Sequence, residues 1–362
     1  MSSRTPVPAI DIDKIPVKKL VTDPAATAKA VQLVYVSSNE EGIIRMKRGK
    51  GFAYEYKNKV VKDKATLNRI RGLVLPPAWT EVWICALANG HLQATGKDAM
   101  NRKQYRYHPM WEKLRSKTKF YRMLELGKVL PEVRKQVQKD LSLPGIPQKK
   151  VLAAIVSLME KTGIRIGNDF YEKLYGSFGL TTLKDKHVSI QGEKVKFCFR
   201  GKKGVDHEIS LRSKKLARIV KQCRDIPGKE LFQYVDGDGK RQVVDSGMVN
   251  DYIRSIADKE FTAKDLRTWC GSITALSALL KTGIPDTQKA TKQKMLEVLD
   301  EVSGLLGNTR TVCKKYYVHP CLFDLYENGK LADWVDKVSR NGKPVENLAA
   351  EEILFIKILE GL

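Results

Sequence analysis

Four short stretches of this 362-residue chain hold residue types that could move a phosphodiester without a metal. They are Ile164-Arg165-Ile166-Gly167-Asn168, Phe199-Arg200-Gly201-Lys202, Lys264-Asp265-Leu266-Arg267-Thr268-Trp269, and Gly307-Asn308-Thr309 followed by Lys315-Tyr316-Tyr317-Val318-His319-Pro320. A tyrosine oxygen can attack phosphorus and store the broken bond as a covalent protein–phosphate ester. Negative charge then gathers on the non-bridging oxygens, where paired guanidinium donors match it. The departing alkoxide is a poor leaving group, and a lysine beside it can supply the proton. Residue type alone leaves choices open, because Lys203 follows Lys202, Tyr317 follows Tyr316, and the chain has 13 tyrosines.

Folded elements must hold these residues, and the pattern of the chain suggests two kinds. Residues 1–28 carry Pro6, Pro8, Pro16 and Pro24 without apolar period and are expected to form an irregular lead-in. Strand-like runs follow at Val31–Val36, Gly51–Tyr56, Val60–Val61 and Val82–Ala86, with a helix-compatible stretch at Thr66–Leu73. The prolines of Leu75-Pro76-Pro77-Ala78-Trp79 predict extended backbone. Residues 29–115 thus read as a small β-rich domain. From 116 to 362 the period is 3.6: Leu152, Ile155, Leu158 and Met159 share a helix face that Gly163 ends. Thr262 and Asp265 make a cap-like pair before a helix that turns Leu266, Trp269, Ile273, Leu276, Leu279 and Leu280 inward and stops at Gly283 and Pro285. Asp286–Leu306 and Asn347–Leu359 are further helical segments. Val188–Ile190 and Val195–Phe199 read as a hairpin, with a third strand at Val205–Leu211. The fold class is α+β, a mainly helical domain with a small inserted sheet after a β-rich one.

The chain holds 65 Lys and Arg against 41 Asp and Glu, a net charge of +24, far beyond what solubility needs. A polyanion is the natural partner. The first 120 residues carry more than half of the excess, so phosphate contacts are expected to concentrate there. The six cysteines form no C-x-x-C pair and the five histidines no metal spacing, so neither zinc nor a disulfide framework is indicated. His187 and His207 read as strand-end structural residues. No G-x-x-x-x-G-K-[ST] nucleotide loop is present, Met1–Lys14 has no apolar signal region, and no apolar run reaches membrane length. These features lead us to expect a soluble intracellular protein with no cofactor.

Together and in this order, the four stretches resemble the type IB DNA topoisomerases, specifically the compact poxvirus-like and bacterial branch. The resemblance runs from about Val31 almost to the end of the chain. It includes Leu75-Pro76-Pro77-Ala78-Trp79, Ala94-Thr95-Gly96-Lys97-Asp98, Arg102-Lys103-Gln104-Tyr105-Arg106-Tyr107-His108-Pro109 and Gly179-Leu180-Thr181-Thr182-Leu183-Lys184-Asp185-Lys186-His187.

The resemblance implies that Arg165 and Arg267 clamp the scissile phosphate. Lys202 protonates the leaving 5′-oxygen, Tyr317 forms a 3′-phosphotyrosyl bond, and Lys203 contacts phosphate. Asn308 departs from the poxvirus members, which carry histidine nine residues before the tyrosine; an amide can donate to a non-bridging oxygen but cannot be protonated. Gln104, Tyr105 and Tyr107 match the stretch through which the small domain touches double-stranded DNA, and Tyr171 matches a contact from the catalytic side. Arg102, Lys103 and Arg106, interleaved with the first group, should bind phosphate. The branch implies a C-shaped clamp, a monomer, no ATP or metal, a nucleoid-associated cytoplasmic location in a bacterial host, and a catalytic fold related to tyrosine recombinases. The recombinases are also the nearest competing function, but they place histidine where Lys264 stands and usually begin with a helical domain. Lys264 is assigned either to transition-state stabilisation or to a DNA-facing helix surface. An architectural DNA binder explains the charge but not the ordered set.

Overall fold

The computed structural model describes residues 24–361 apart from 50, 100, 102, 284–286 and 342–343; side chains of 24, 115–121 and 341 lie outside the description. The chain divides into two compact units, the first ending at Tyr121 and the second running Arg122–Leu362.

The first unit contains α1 (Pro24–Ala30), β1 (Ile43–Arg48), β2 (Gly51–Tyr56), β3 (Lys59–Val60), α2 (Lys64–Gly72), β4 (Thr80–Ile84), β5 (Leu92–Lys97) and β6 (Lys103–Tyr107). The strands form one antiparallel sheet in the order β3-β2-β1-β4-β5-β6. Central β4 is apolar on both faces because both are covered. Val82 and Ile84 pack with Ile43, Ala94 and Ile70 of α2, while Trp83 packs with Val36, Cys85 and Leu92. Three expectations change here. Pro24–Ala30 is helical, with a proline where the first turn tolerates it and alanines behind. Val31–Val36 is not a strand: only Val34 forms a bridge, to Gly90, while Val31 and Leu33 pack on Ala28, Trp111 and Leu114. The Pro-Pro segment closes a turn, with Trp79 N–H donating to the Pro76 carbonyl at 3.1 Å.

The second unit takes over along α3 (Pro109–Asp140) and continues with α4 (Gln148–Thr162), α5 (Asp169–Tyr175), β7 (Val188–Gln191), β8 (Lys194–Arg200), β9 (Asp206–Arg212), α6 (Lys214–Arg224), β10 (Gln233–Val235), β11 (Arg241–Val243), α7 (Ser246–Ala257), α8 (Ala263–Thr282), α9 (Gln288–Leu306), α10 (Arg310–Tyr316), α11 (Pro320–Glu327), α12 (Leu331–Asn341) and α13 (Ala350–Glu360). β7, β8 and β9 form the expected three-stranded sheet; β10 and β11 add a second hairpin. α4 is buried all round, with Val151, Ala153, Ala154 and Val156 inside as well as the expected face, because α6, α7 and α8 all pack on it. Asp286 and Pro285, expected at the α8–α9 junction, lie outside the described residues.

Behind α8, Arg134 donates to both carboxylate oxygens of Glu352 (2.6 and 2.7 Å) and to Glu160 (3.1 Å), and the Trp269 indole N–H donates to Glu352 at 2.8 Å. This network ties α3, α4, α8 and α13 together. No helix among the described residues is long and apolar enough to cross a membrane.

Candidate active site

Arg165 leaves α4 through a left-handed C-cap at Gly163 (φ 63°), a conformation glycine adopts without steric cost. Its carbonyl accepts from Leu180 N–H at 2.9 Å and that of Ile166 from Thr181 N–H at 2.7 Å, which pins the backbone beneath the side chain. Gly167 (φ 105°) has no room for a side chain, since a Cβ there would stand 2.9 Å from Thr181 Oγ1.

Arg267 sits one turn inside α8, whose start is set by the Thr262–Asp265 pair foreseen in the sequence, with the Asp265 carboxylate accepting from both the N–H and the hydroxyl of Thr262. Its side chain is 6% exposed. The last turn of α9 ends at Gly307 (φ 56°), which delivers Asn308 to the same place. Donors converge on the Leu306 carbonyl from three directions: Arg267 Nη2, and more distantly Arg165 Nη1 and Asn308 Nδ2, both at 3.5 Å. Arg165 Nη2 also donates to Asn308 Oδ1 at 2.6 Å.

Among the described residues, neither Arg165 nor Arg267 is paired with a carboxylate, and Arg267 Nε is buried without an acceptor. Burial pushes the Arg267 guanidinium down to about 10, the neighbouring Arg165 charge adds to the shift, and the Tyr317 hydroxyl opposes it. Burial lowers Arg165 too, again opposed by Tyr317. Both remain cationic at neutral pH. A buried cation beside a half-buried one, with no counter-charge, is costly in a folded protein, and an anion supplied from outside removes that cost.

Tyr317 caps the C-terminus of α10, and its ring centroid lies 5.3 Å from the Arg267 guanidinium carbon. α8 braces it. Ser272 Oγ donates to the Tyr317 carbonyl at 3.1 Å and accepts from His319 N–H at 3.0 Å. A Cβ on Gly271 would come 2.8 Å from the Tyr317 carbonyl and 3.1 Å from its Cβ, so only glycine lets the two backbones approach. Gly271 is four residues beyond Arg267, on the same helix face. Tyr316 is turned elsewhere: its ring is 46% exposed, with Lys315 Nζ at 5.3 Å.

Lys202 and Lys203 are exposed on the turn joining β8 to β9, where Lys203 holds a left-handed φ of 64°. Lys202 Nζ lies 5.6 Å from the ring centroid of Tyr171 on α5, so the expected DNA-contacting tyrosine and the expected proton donor are neighbours. Lys264 is exposed at the start of α8.

In the first unit, β6 splits its candidates between two faces. Lys103, Tyr105 and Tyr107 share one, the tyrosine rings stacked at 6.0 Å and Lys103 Nζ 5.8 Å from the Tyr105 ring. On the other, Gln104 Nε2 donates to Asp98 at 2.8 Å, and Arg106 donates to the carbonyls of Leu73 (2.9 Å) and Val74 (3.1 Å). Arg102 lies outside the described residues.

Two contributors, Gly271 and Ser272, escaped the sequence reading, and a third, His207, was read only as a strand-end structural residue. The imidazole of His207 stacks on Phe199 (5.0 Å, 16°) and feels both Arg165 and Arg267. Only the Gly-Ser pair one turn beyond Arg267 was a visible local signal.

An arginine pair, a carboxamide and a tyrosine that meet in this way can bind a phosphodiester and attack it. Residues 108–331 match the family model for the catalytic core of eukaryotic DNA topoisomerase I, and residues 51–98 match that for the N-terminal domain of bacterial DNA topoisomerase IB. The DNA topoisomerase 1B of Acanthamoeba polyphaga mimivirus is 32% identical over 297 residues, 80% of this chain and 88% of the viral protein. The DNA topoisomerase 1B of vaccinia virus (strain Copenhagen) is 23% identical over 291 residues, 78% and 88% of the two chains. The chain belongs to the type IB DNA topoisomerase family. Within it, a domain of the bacterial kind precedes a catalytic core shared with eukaryotic and viral members.

Proposed function

We propose that this protein relaxes supercoiled duplex DNA by cutting and resealing one strand through Tyr317. The observation that carries the reading is the pair formed by half-buried Arg165 and buried Arg267, which have no carboxylate partner among the described residues and converge on that tyrosine. The guanidiniums bind the non-bridging oxygens of the scissile phosphate, and Asn308 adds a neutral donor through Nδ2. The phenol gives its proton to solvent water as Tyr317 Oη bonds to phosphorus; the bond from phosphorus to the 5′-oxygen breaks, and Lys202 protonates that oxygen. The strand is then held as a 3′-phosphotyrosyl ester while the free 5′-end swivels. Resealing is the reverse attack by the 5′-hydroxyl, so the bond energy is conserved and ATP is not consumed.

Lys103, Tyr105 and Tyr107 form the face that meets DNA from the small domain, with Tyr171 and Lys203 contributing from the catalytic domain. The cationic excess supplies most of the affinity, which should fall steeply with salt. We further propose that the enzyme acts as a monomer and that its catalytic fold is related to the tyrosine recombinases.

The deciding experiment is relaxation of supercoiled plasmid in EDTA without ATP. Complete relaxation with a protein–DNA adduct on denaturing gels is expected. No relaxation, but strand exchange between paired sites, would replace this reading with a recombinase.

A further inference from the structure

His207 lies on β9, paired across the sheet with Phe199 on β8, the strand that ends just before Gly201. The leading edge of its imidazole is inserted between two glycines from different elements. A Cβ on Gly201 would stand 2.6 Å from both Cδ2 and Nε2 of the ring, and a Cβ on Gly307 2.1 Å from Cε1 and 2.7 Å from Nε2. Real Cβ atoms do not approach so closely, so the ring fills the space that a side chain would need at either position.

Each glycine immediately precedes a candidate functional residue. Lys202 follows Gly201 on the β8–β9 turn, and Asn308 follows Gly307 at the end of α9. The ring face is fixed by its stack on Phe199, itself 7% exposed, so the wedge cannot tilt freely. Lys202 is otherwise carried on an exposed turn with a left-handed residue beside it.

We propose that His207 is a positioning residue: wedged between Gly201 and Gly307, it sets the separation between the Lys202 turn and the phosphate clamp, and so places the proton donor at the leaving oxygen. The inference rests on the role proposed above for Lys202. The charge state of the ring agrees with it. Burial, then Arg165 and Arg267, lower its pKa from the ordinary imidazole value, and only the adjacent Asp206 pulls the other way. Phe199, Gly201 and Gly307, which pack on the ring, bring no charge of their own, so at neutral pH it is an uncharged spacer beside two cations.

The test separates placement of Lys202 from general damage to the site. Single-turnover cleavage is measured on duplex oligonucleotides carrying either oxygen or sulfur at the scissile 5′ bridging position. A thiolate leaves without a proton, so a defect confined to leaving-group protonation disappears on the sulfur substrate. Lys202→Ala is the reference and should lose about 10²-fold or more with oxygen, but little with sulfur. His207→Ala is expected to lose about 10-fold or more with oxygen and to recover to within about threefold of wild type with sulfur. Gly201→Ala pushes on the wedge without altering the histidine and should behave alike; it carries the test if His207→Ala does not fold. Loss of equal size on both substrates, or wild-type cleavage of the oxygen substrate, overturns the inference while leaving Lys202 in its role. If Lys202→Ala is itself not rescued by sulfur, the role of Lys202 falls, and the inference with it.

Discussion

Arg165 Nη2 donates to Asn308 Oδ1 across 2.6 Å, and this bond decides which way the carboxamide faces. With its oxygen held by a guanidinium, the amide can offer only Nδ2 to a substrate, and among the described residues that nitrogen has no better acceptor than the Leu306 carbonyl at 3.5 Å. Asn308 is therefore expected to act as a fixed neutral donor. Asn308→Ala should slow single-turnover cleavage by about 10²-fold. Its removal should leave the shape of the pH–rate profile unchanged between pH 5 and 8. A group titrating near the ordinary imidazole value of about 6.5 that vanishes in Asn308→Ala would contradict this.

The isosteric change Asn308→Asp asks a sharper question. A carboxylate there would lie beside Arg165 and near Arg267, supplying from within the anion that the site otherwise takes from DNA. Cleavage should fall by about 10³-fold or more, while the melting temperature rises by a few degrees. The sign of the pH effect follows from the introduced group. Two guanidiniums would depress its folded-state pKa below about 3.9, so the extra stability is present above that value and fades as pH falls through the folded pKa. Thermal unfolding of both proteins between pH 3 and 7 checks it; a destabilised Asn308→Asp at neutral pH sinks the claim that the clamp lacks a counter-charge.

Tyr317→Phe should abolish the covalent adduct while leaving duplex binding within about twofold, because the hydroxyl is needed for bond formation and not for the fold. Tyr316→Phe should cleave at the wild-type rate, its ring being exposed beside Lys315. An adduct retained in Tyr317→Phe, or lost in Tyr316→Phe, would reverse the assignment.

Ser272 is the less obvious test of Tyr317. Its hydroxyl is fully buried and makes two hydrogen bonds to the backbone that leaves the tyrosine, donating to the Tyr317 carbonyl and accepting from the His319 N–H. Ser272→Ala leaves the Tyr317 carbonyl and the His319 N–H short of a partner, which costs about 1–3 kcal/mol. The effect on cleavage should exceed that on binding, about 10-fold against less than twofold, since a small misplacement of a nucleophile is felt in the rate. Gly271→Ala should be worse, because the added methyl would collide with the Tyr317 backbone. Equal losses in binding and cleavage would argue for general disruption.

How far the sequence foretold these features depends on how local they are. The α4 stop at Gly163 and the Thr262–Asp265 capping box were legible because their signals lie within one turn of the element they shape. The Val31–Val36 run looked like a strand, yet its Val31 and Leu33 serve a helix contact, and no local pattern separates the two. β5 was missed for the opposite reason. Its Gln93 and Thr95 are buried, and Gln93 is satisfied by the Leu87, Ala88 and Gly90 carbonyls and by Arg69, partners that no strand pattern announces. The candidate site divides in the same way. Arg165, Lys202, Arg267, Asn308 and Tyr317 stand in recognisable local contexts, whereas Ser272 and His207 owe their places to residues far along the chain. The alternation of β6 was readable, but whether Gln104 and Arg106 were already engaged within the domain was not.

Glu352 is buried, accepts from Arg134 and from the Trp269 indole, and so joins the C-terminal helix α13 to the helix that carries Arg267. Burial alone would raise its pKa, but the Arg134 and Trp269 hydrogen bonds prevail and hold it below the usual carboxylate range. A depressed carboxyl contributes stability above its unfolded value of about 4.3, and that contribution is lost as pH falls through the folded pKa. Glu160 behaves oppositely. Burial raises its pKa despite Arg134, so it offsets part of the acid sensitivity. Glu352→Ala should therefore destabilise the protein by roughly 3 kcal/mol at pH 7, the lower end for breaking a buried pair, because Arg134 keeps Glu160. The difference from wild type should shrink below pH 4. Trp269 would lose its anchor, so cleavage should also slow, with Tyr317 untouched. Denaturant unfolding at pH 7 and pH 3.5 measures the first effect. A destabilisation of equal size at both pH values would show that Glu352 acts by packing and not through its charge.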